Sequence, residues 1–132
     1  MGWSLSVQES SNIFIQNSSF IGSKAIGLAV WTSQNVTLDN IFVADSTKRD
    51  VAAFNVADRE ACISICAYLD KPDSCSDISL TNSVTAGCTF AGVVAMGHEC
   101  GESETQKVVK NVVAHSISGS GFHIYPDPTK PS

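Results

Sequence analysis

Four short segments of this chain repeat one pattern of polar and aliphatic residues. Each begins with Asn or Asp, has aliphatic residues at its second and fourth positions and ends with Asn or, once, Ser; the segments span residues 12–17, 35–40, 77–82 and 111–116. Their first residues are 23, 42 and 34 positions apart (12 to 35, 35 to 77 and 77 to 111). A spacing in the low twenties is typical of solenoid coils, so the two wider gaps require insertions.

Each segment is followed by two further short apolar runs, the last of which covers residues 27–30 in the first coil and 51–56 in the second. Such runs have strand length and are separated by Asn or Gly. We therefore predict an all-β protein, a right-handed parallel β-helix (solenoid) of about four coils stacked about 4.8 Å apart. A Greek-key sandwich of short strands is the alternative, but it gives no reason for an Asn at a fixed offset.

An asparagine ladder at one corner of the solenoid follows from this alignment. Asn17, Asn40 and Asn82 are expected above one another, because Asn tolerates left-handed backbone and its amide can bond to the same amide one coil away. Ser116 is expected to end the ladder. The aliphatic residues of the four segments are expected to point inward and form the core: Ile13, Ile15, Val36, Leu38, Ile78, Leu80, Val112 and Ala114.

The chain has room for one domain, residues 1–132, with coils that start near residues 12, 35, 77 and 111. We place insertions at residues 57–76 and 97–107, and an exit segment at 126–132 where prolines break the strand pattern. Residues 58–69 favour one short helix, with Asp58 as its N-cap and Cys62 and Cys66 on one face. Insertions at solenoid corners often form the binding face.

Five cysteines in a short chain favour an oxidising compartment, and the odd count leaves one of them unpaired. They are Cys62, Cys66, Cys75, Cys88 and Cys100. Their spacing matches no zinc ribbon or knuckle, so structural disulfides are favoured over a metal site. We pair Cys88 with Cys100, and Cys75 with either Cys62 or Cys66.

The net charge of −5 and the absence of a Lys/Arg cluster argue against nucleic acid as a partner. No apolar run reaches about 18 residues, so we predict no membrane contact within this segment. His98-Glu99 lacks the second His of an HExxH motif and is interpreted as an exposed loop pair; we expect no metal and no cofactor. Asn17 and Asn35 each begin an Asn-X-Ser/Thr sequon and are candidate glycosylation sites.

By strand alternation, Gln16, Asp39, Thr81 and His115 are predicted to form one outward row on the first sheet. Asp39 and His115 are its titratable members and are weak candidates for a surface site. A sugar-cleaving pair of carboxylates lies about 5–9.5 Å apart, and this row holds a single carboxylate. We therefore assign no catalytic residue and interpret the row as a solvated face.

The repeat pattern, which approximates NITLxN and GIxV (NVTLDN at residues 35–40, GLAV at 27–30), resembles the parallel β-helix repeats of the fibrocystin group. Residues 111–125, NVVAHSISGSGFHIY, resemble them most. This group comprises the polycystic kidney and hepatic disease proteins and their fibrocystin-like relatives, whose β-helices accompany G8 domains. Residues 97–107 resemble a Cys-bearing loop found before this repeat in the family. The resemblance implies an extracellular or cell-surface location in a large, membrane-anchored parent, and a receptor-like or adhesive role. It transfers no active-site residue.

The function predicted from the sequence is therefore a non-catalytic β-helix module with a binding or spacer role. Its partners are expected to be further coils or domains of the parent chain, and a carbohydrate or protein ligand. The alternative is a fragment of a carbohydrate-active enzyme, pectate-lyase-like or hyaluronan-acting, which would need acidic and basic residues clustered on one outward face. A cytosolic scaffold, the third hypothesis, predicts five free thiols.

Overall fold

The computed structural model describes residues 3–46, 61–66, 75–98 and 107–126. These residues form nine strands: β1 (Trp3–Gln8), β2 (Ser11–Ile21), β3 (Ile26–Trp31), β4 (Gln34–Ala44), β5 (Ala61–Ile65), β6 (Ser76–Ala86), β7 (Ala91–His98), β8 (Lys107–His115) and β9 (Ser120–Pro126).

The strands alternate along the chain between two sheets. The odd-numbered strands form a five-stranded sheet in the order β1-β3-β5-β7-β9, and the even-numbered strands form a four-stranded sheet in the order β2-β4-β6-β8. Every neighbouring pair is parallel. A chain that visits two parallel sheets in strict alternation winds as a solenoid, so the prediction of an all-β, β-helix-like fold of about four coils is confirmed.

Each long strand of the four-stranded sheet contains both the first and the second apolar run of its coil. β2, β4 and β6 are 11 residues long and bend at an internal Asn with positive φ: Asn17 (52°), Asn40 (53°) and Asn82 (51°). We expected three separate short strands per coil. The left-handed Asn bends the strand without ending its pairing, because the register resumes one or two residues later.

Residues with positive φ recur at the same place in successive coils. Those of the four-stranded sheet form three columns: Asn12, Asn35 and Asp77; Asn17, Asn40, Asn82 and Asn111; and Gly22, Asp45, Gly87 and Ser116. Glu9, Thr32 and Cys66, which follow strands of the five-stranded sheet, also have positive φ. Asn, Asp and Gly tolerate this conformation better than other residues do. The sequence therefore marks the corners of the coil with the residue types that can turn there.

The core lies between the two sheets. Val36, Leu38, Ile78 and Leu80, all predicted as core residues, are fully buried, and Ile13 and Ile15 pack against them from the first coil. The five-stranded sheet contributes the alternate positions of β3, β5 and β7, among them Leu28, Ile63 and Val93. Full burial of one such aliphatic side chain stabilises the fold by roughly 1.5–3 kcal/mol.

The fourth coil is aligned differently from our prediction. Leu80 pairs with Val109, and Ser83 pairs with Val112. Asn111 therefore continues the column of Asn82 and does not begin a coil opposite Asp77, and Ser116 lies in the column of Gly87. Val112 and Ala114 still face the interior, but they follow the Asn corner and pair with Ser83 and Thr85. We had predicted them opposite Ile78 and Leu80.

The predicted helix at residues 58–69 is wrong for the part of it that the structure describes. Residues 61–65 form β5, which pairs with β3 on one side and β7 on the other. All five residues of β5 are fully buried, as expected of a strand in a parallel sheet that is covered on both faces. This strand occupies the position that we had assigned to residues 51–56, which lie outside the described residues. The predicted insertion at 57–76 therefore contains a core strand.

Candidate functional site

The outward face of the four-stranded sheet is the surface on which the sequence placed its candidate residues. β2, β4, β6 and β8 run parallel and in register, so equivalent outward side chains lie about 4.8 Å apart in rows across the coils. Ahead of the Asn column, one such row contains Gln16, Asp39, Thr81 and Lys110. Two of its four members are uncharged, and the other two are one carboxylate and one ammonium group.

Asp39 is the best-defined side chain of this row. Its Oδ1 accepts a hydrogen bond from Thr81 Oγ1 at 2.7 Å and another from Asn82 Nδ2 at 2.9 Å. These two bonds, the Thr81 bond more than the Asn82 bond, lower the pKa of the Asp39 carboxyl from its usual 3.8. Asp39 is therefore an ionised acceptor that links its coil to the next one, and it has no proton to donate near neutral pH.

His115 does not belong to this row, and Lys110 occupies the place predicted for it. His115 ends β8, pairs with Ala86, and lies with Nδ1 3.0 Å from Ser116 Oγ. The prediction that Asp39 and His115 share a row is therefore wrong, because the fourth coil is shifted by five residues. Asp39 and Lys110 are instead the charged members, two coils or about 10 Å apart with Thr81 between them.

The Asn column borders the polar row, and hydrogen bonds between side-chain amides join its members in pairs. Asn40 Nδ2 donates to Asn17 Oδ1 at 2.6 Å, and Asn111 Nδ2 donates to Asn82 Oδ1 at 2.6 Å. Between these pairs, Asn82 donates to Asp39 and not to Asn40. Asp39 thus takes the place of Asn40 as the acceptor for Asn82, which joins the polar row to the later part of the ladder.

Beyond the Asn column the same face becomes apolar. Phe42, Val84 and Val113 pair in register on β4, β6 and β8, and Phe42 and Val113 are 37% and 54% exposed. Ile21, 63% exposed, lies at the end of β2 on the same face. We did not predict this apolar row from the sequence. Its members lie two residues after a ladder Asn. Strand alternation restarts at the Asn bend and turns this position outward, so the row could have been found from that offset.

Two disulfides join the cysteines of the described residues, and they differ in part from those predicted. Cys62 of β5 is bonded to Cys88, which precedes β7, with a Cα–Cα distance of 5.7 Å. Cys66 is bonded to Cys75 with a Cα–Cα distance of 6.0 Å, which is one of the two alternatives that we left open. The predicted Cys88–Cys100 bond is wrong, because β5 brings Cys62 beside Cys88; Cys100 lies outside the described residues.

The disulfides indicate that the chain folds in an oxidising compartment. In the described part of the chain, no group of three or more His, Cys, Asp or Glu side chains comes together in a way that could hold a metal ion. Those same residues include no helix long and apolar enough to cross a membrane. His98 ends β7, and Glu99 lies beyond the described residues.

Both sequon asparagines lie exposed at left-handed corners. Asn17 accepts the ladder bond from Asn40, whereas Asn35 donates from Nδ2 to Asn12 Oδ1 at 2.8 Å. A glycan is carried on Nδ2, the atom that Asn35 uses in this bond. Glycosylation at Asn17 and Asn35 stays a prediction.

Comparisons with protein-family models, with curated protein sequences and with solved structures returned no match to this chain.

Proposed function

We propose that this chain is a non-catalytic β-helix module of a larger extracellular protein, where it has a binding or spacer role. The observation that carries this proposal is the bonding of Asp39. Its carboxylate lies in the polar outward row and accepts hydrogen bonds from Thr81 and Asn82 of the next coil. The side chain on this face that is best suited to acid-base chemistry thus stabilises the stacking of the coils.

The geometry of the row gives little support to sugar cleavage. Hydrolysis by two carboxylates needs a second carboxylate about 5–9.5 Å from the first, and the neighbours of Asp39 in its row are Gln16 and Thr81. Lys110 lies two coils away, about 10 Å, with Thr81 between it and Asp39. A lyase would need its base beside a cluster of acidic calcium ligands.

The apolar row of Phe42, Val84 and Val113 supports a binding role. Neighbouring apolar side chains that are wholly or partly exposed on one sheet face are a common feature of protein interaction sites. A protein ligand fits this row better than a carbohydrate does, because the row offers aliphatic and aromatic surface with few hydrogen-bonding groups. The polar row beside it would supply hydrogen bonds at the rim of such an interface.

The fibrocystin-like assignment and the extracellular location belong to this proposal. The assignment is supported by the sequence resemblance of residues 111–125, and the location by the two disulfides. In such a parent, further coils or domains of the same chain would be partners of this module. The receptor-like or adhesive role follows from the family resemblance.

A cleavage assay tests the non-catalytic assignment. The protein is incubated with polyuronates and with hyaluronan, with and without calcium, at concentrations typical of an enzyme. We expect no bond cleavage. Cleavage that is lost in Asp39→Asn or Lys110→Met, while the matched outward variant Thr37→Ala retains it, would contradict the proposal and favour the carbohydrate-active alternative.

A thiol titration tests the compartment. Five cysteines less the four in the two disulfides leave one, Cys100, so the denatured, unreduced protein from a secreting host should release a single equivalent of thiol. Five equivalents would contradict an oxidising compartment and favour the cytosolic scaffold.

A further inference from the structure

Asn82 differs from its neighbours in the Asn column in the acceptor that it uses. Asn40 donates to Asn17 and Asn111 donates to Asn82, in each case to the Asn at the equivalent position of the preceding coil. Asn82 donates instead to the Asp39 carboxylate, one residue before its equivalent Asn40. The amide ladder is therefore interrupted at the step between the second and third coils.

Asn40 offers a second acceptor for the same donor. It lies opposite Asn82 in the parallel register of β4 and β6, and the φ angles of the two residues, 53° and 51°, match the 52° of Asn17. The step from Asn40 to Asn82 thus resembles the step from Asn17 to Asn40, where an amide bond of 2.6 Å forms. Within the described part of the chain no hydrogen bond reaches Asn40 Oδ1, so this oxygen can accept one.

The charge on Asp39 explains why it takes this donor from Asn40. Hydrogen bonds to an ionised carboxylate are shorter and roughly twice as strong as those between neutral groups. The same oxygen of Asp39 also accepts from Thr81 Oγ1 at 2.7 Å, which holds the carboxylate toward β6. The neutral Asn40 amide is therefore the weaker of two competing acceptors, and it stays unused while Asp39 is ionised.

The strands packed against β4 bring few other charged groups to this step. β2 and β3 carry no ionisable side chain, and the cysteine of β5 is held in a disulfide. Asp77, the single ionisable residue of β6, lies at the preceding corner column. Lys110 of β8 is an ammonium group two coils away, about 10 Å from Asp39. Protonation of Asp39 is therefore the charge change that acts directly on the Asn82 bond.

We propose that Asp39 and Asn40 are alternative acceptors for Asn82 and form a charge-controlled switch in the ladder. While Asp39 is ionised it holds the Asn82 amide, and the ladder is divided into the pairs Asn17–Asn40 and Asn82–Asn111. When Asp39 takes up a proton from solvent, Asn82 Nδ2 moves to Asn40 Oδ1 and the four amides form one continuous ladder. The switch keeps the second and third coils joined in acid, and it does not depend on the proposed binding or spacer role.

The switch has a consequence for the acid titration of Asp39. Hydrogen bonds from Thr81 and Asn82 favour its ionised form and lower its pKa. A bond from Asn82 to Asn40 stabilises the state in which Asp39 is neutral, so it offsets part of this decrease. Removal of the Asn40 oxygen should therefore lower the pKa of Asp39 further, by up to about 1 for a hydrogen bond of ordinary strength.

Carbon-13 NMR titration of the Asp39 carboxyl in two glycine variants tests this consequence. Asn40→Gly removes the alternative acceptor and preserves the corner, because Gly adopts positive φ readily. Asn17→Gly, the matched control, removes the partner of the Asn40 amide nitrogen and leaves the Asn40 oxygen in place. We expect a lower pKa of Asp39 in Asn40→Gly and an unchanged pKa in Asn17→Gly. An unchanged or higher pKa in Asn40→Gly, or an equal decrease in both variants, would overturn the proposal.

A second measurement, proton exchange of the Asn82 side-chain amide with solvent, tests the switch at neutral pH. Asp39→Ala removes the charged acceptor, so Asn82 should bond to Asn40 and its amide protons should exchange about as slowly as in the unmodified chain. In the double variant, Asp39→Ala with Asn40→Gly, both acceptors are absent and exchange should become fast. Exchange as fast in Asp39→Ala as in the double variant would overturn the proposal. If circular dichroism shows that Asp39→Ala is unfolded, Asp39→Val replaces it in both variants, with the same expected outcomes.

Discussion

Asn111 donates a hydrogen bond from Nδ2 to Oδ1 of Asn82, 2.6 Å away, across the boundary between the third and fourth coils. Both residues have positive φ, 54° and 51°. This contact belongs to the alignment of the last coil, in which Lys110 lies beside Thr81 and His115 beside Ala86. It also extends the Asn column to four residues and gives it a donor at one end and an acceptor at the other.

The Asn column predicts a difference between two substitutions of Asn40. Asn40→Ala loses the bond to Asn17, worth about 0.5–1.5 kcal/mol, and forces Ala into left-handed backbone at a cost of roughly 1–2 kcal/mol. Asn40→Gly loses the same bond without that steric cost. Urea denaturation should therefore find the Ala variant less stable than the Gly variant by about 1 kcal/mol. Equal stability of the two variants would contradict a left-handed corner at this position.

Gly92 of β7 has no room for a side chain. A Cβ at this position would be 2.6 Å from Thr85 Oγ1, 2.7 Å from the Gly121 carbonyl oxygen and 2.8 Å from Ala114 Cβ. Gly92→Ala should therefore lower the free energy of unfolding by about 1–3 kcal/mol, as overpacked core substitutions do.

Gly121→Ala is the matched control for Gly92→Ala. Gly121 lies in the same column in the next coil, and a Cβ there would meet only Ala114 Cβ at 3.6 Å, an ordinary contact. We expect a change within about 0.5 kcal/mol, measured by the same denaturation. A larger loss in Gly121→Ala than in Gly92→Ala would contradict the packing described here.

The two disulfides should differ in their contribution to stability. The Cys62–Cys88 bond closes a sequence separation of 26 residues and the Cys66–Cys75 bond one of 9. Loop-closure entropy assigns them about 3.5 and about 2.6 kcal/mol. Thermal unfolding of the two double-alanine variants should therefore give the lower midpoint for the variant that lacks Cys62 and Cys88. The opposite order would show that chain entropy does not govern their stabilisation.

Asp39 predicts an acid dependence of stability. Hydrogen bonds from Thr81 and Asn82 lower its pKa in the folded protein below 3.8. The unfolded state therefore binds this proton more tightly, and the stabilisation present above the unfolded pKa is lost as the pH falls through the folded pKa. The midpoint of thermal unfolding should fall less steeply below about pH 4 in Asp39→Asn than in the unmodified chain.

Carbon-13 NMR titration of the Asp39 carboxyl measures this shift directly. Thr81→Val removes the stronger of the two donors and should raise the pKa of Asp39 toward its usual value. Ser79→Val, two residues earlier on the same outward face of β6, is the control and should leave the titration unchanged. An unchanged titration in Thr81→Val would contradict the assigned hydrogen bond.

The fold was predictable because two of its signals are local. The aliphatic pairs Val36/Leu38 and Ile78/Leu80 follow the two-residue period of a strand, and the Asn residues that flank them are suited to left-handed corners. A repeat of both signals at solenoid spacing indicates stacking. The alignment of the last coil was not predictable in the same way, because two corner columns five residues apart, those of Asn12 and Asn17, both favour Asn.

The strand β5 and its disulfide were missed because local sequence favours two structures there. Asp58 resembles a helix N-cap and Cys62 and Cys66 are four residues apart, which suits one face of a helix. The same residues also fit a strand, in which Ile63 and Ile65 face the main core. Burial between β3 and β7 selects the strand, and it brings Cys62 beside Cys88 from 26 residues away. Such a contact between coils leaves no signal in the local pattern.

The central claim, that the coils are parallel and aligned as described, is tested most directly by nuclear Overhauser effects among the Asn side-chain amides. The structure predicts cross-peaks between Asn17 and Asn40, between Asn12 and Asn35, and between Asn82 and Asn111, with none between Asn17 and Asn82. A cross-peak from the Asn111 amide to Asp77 in place of Asn82, or contacts typical of antiparallel strands, would contradict it.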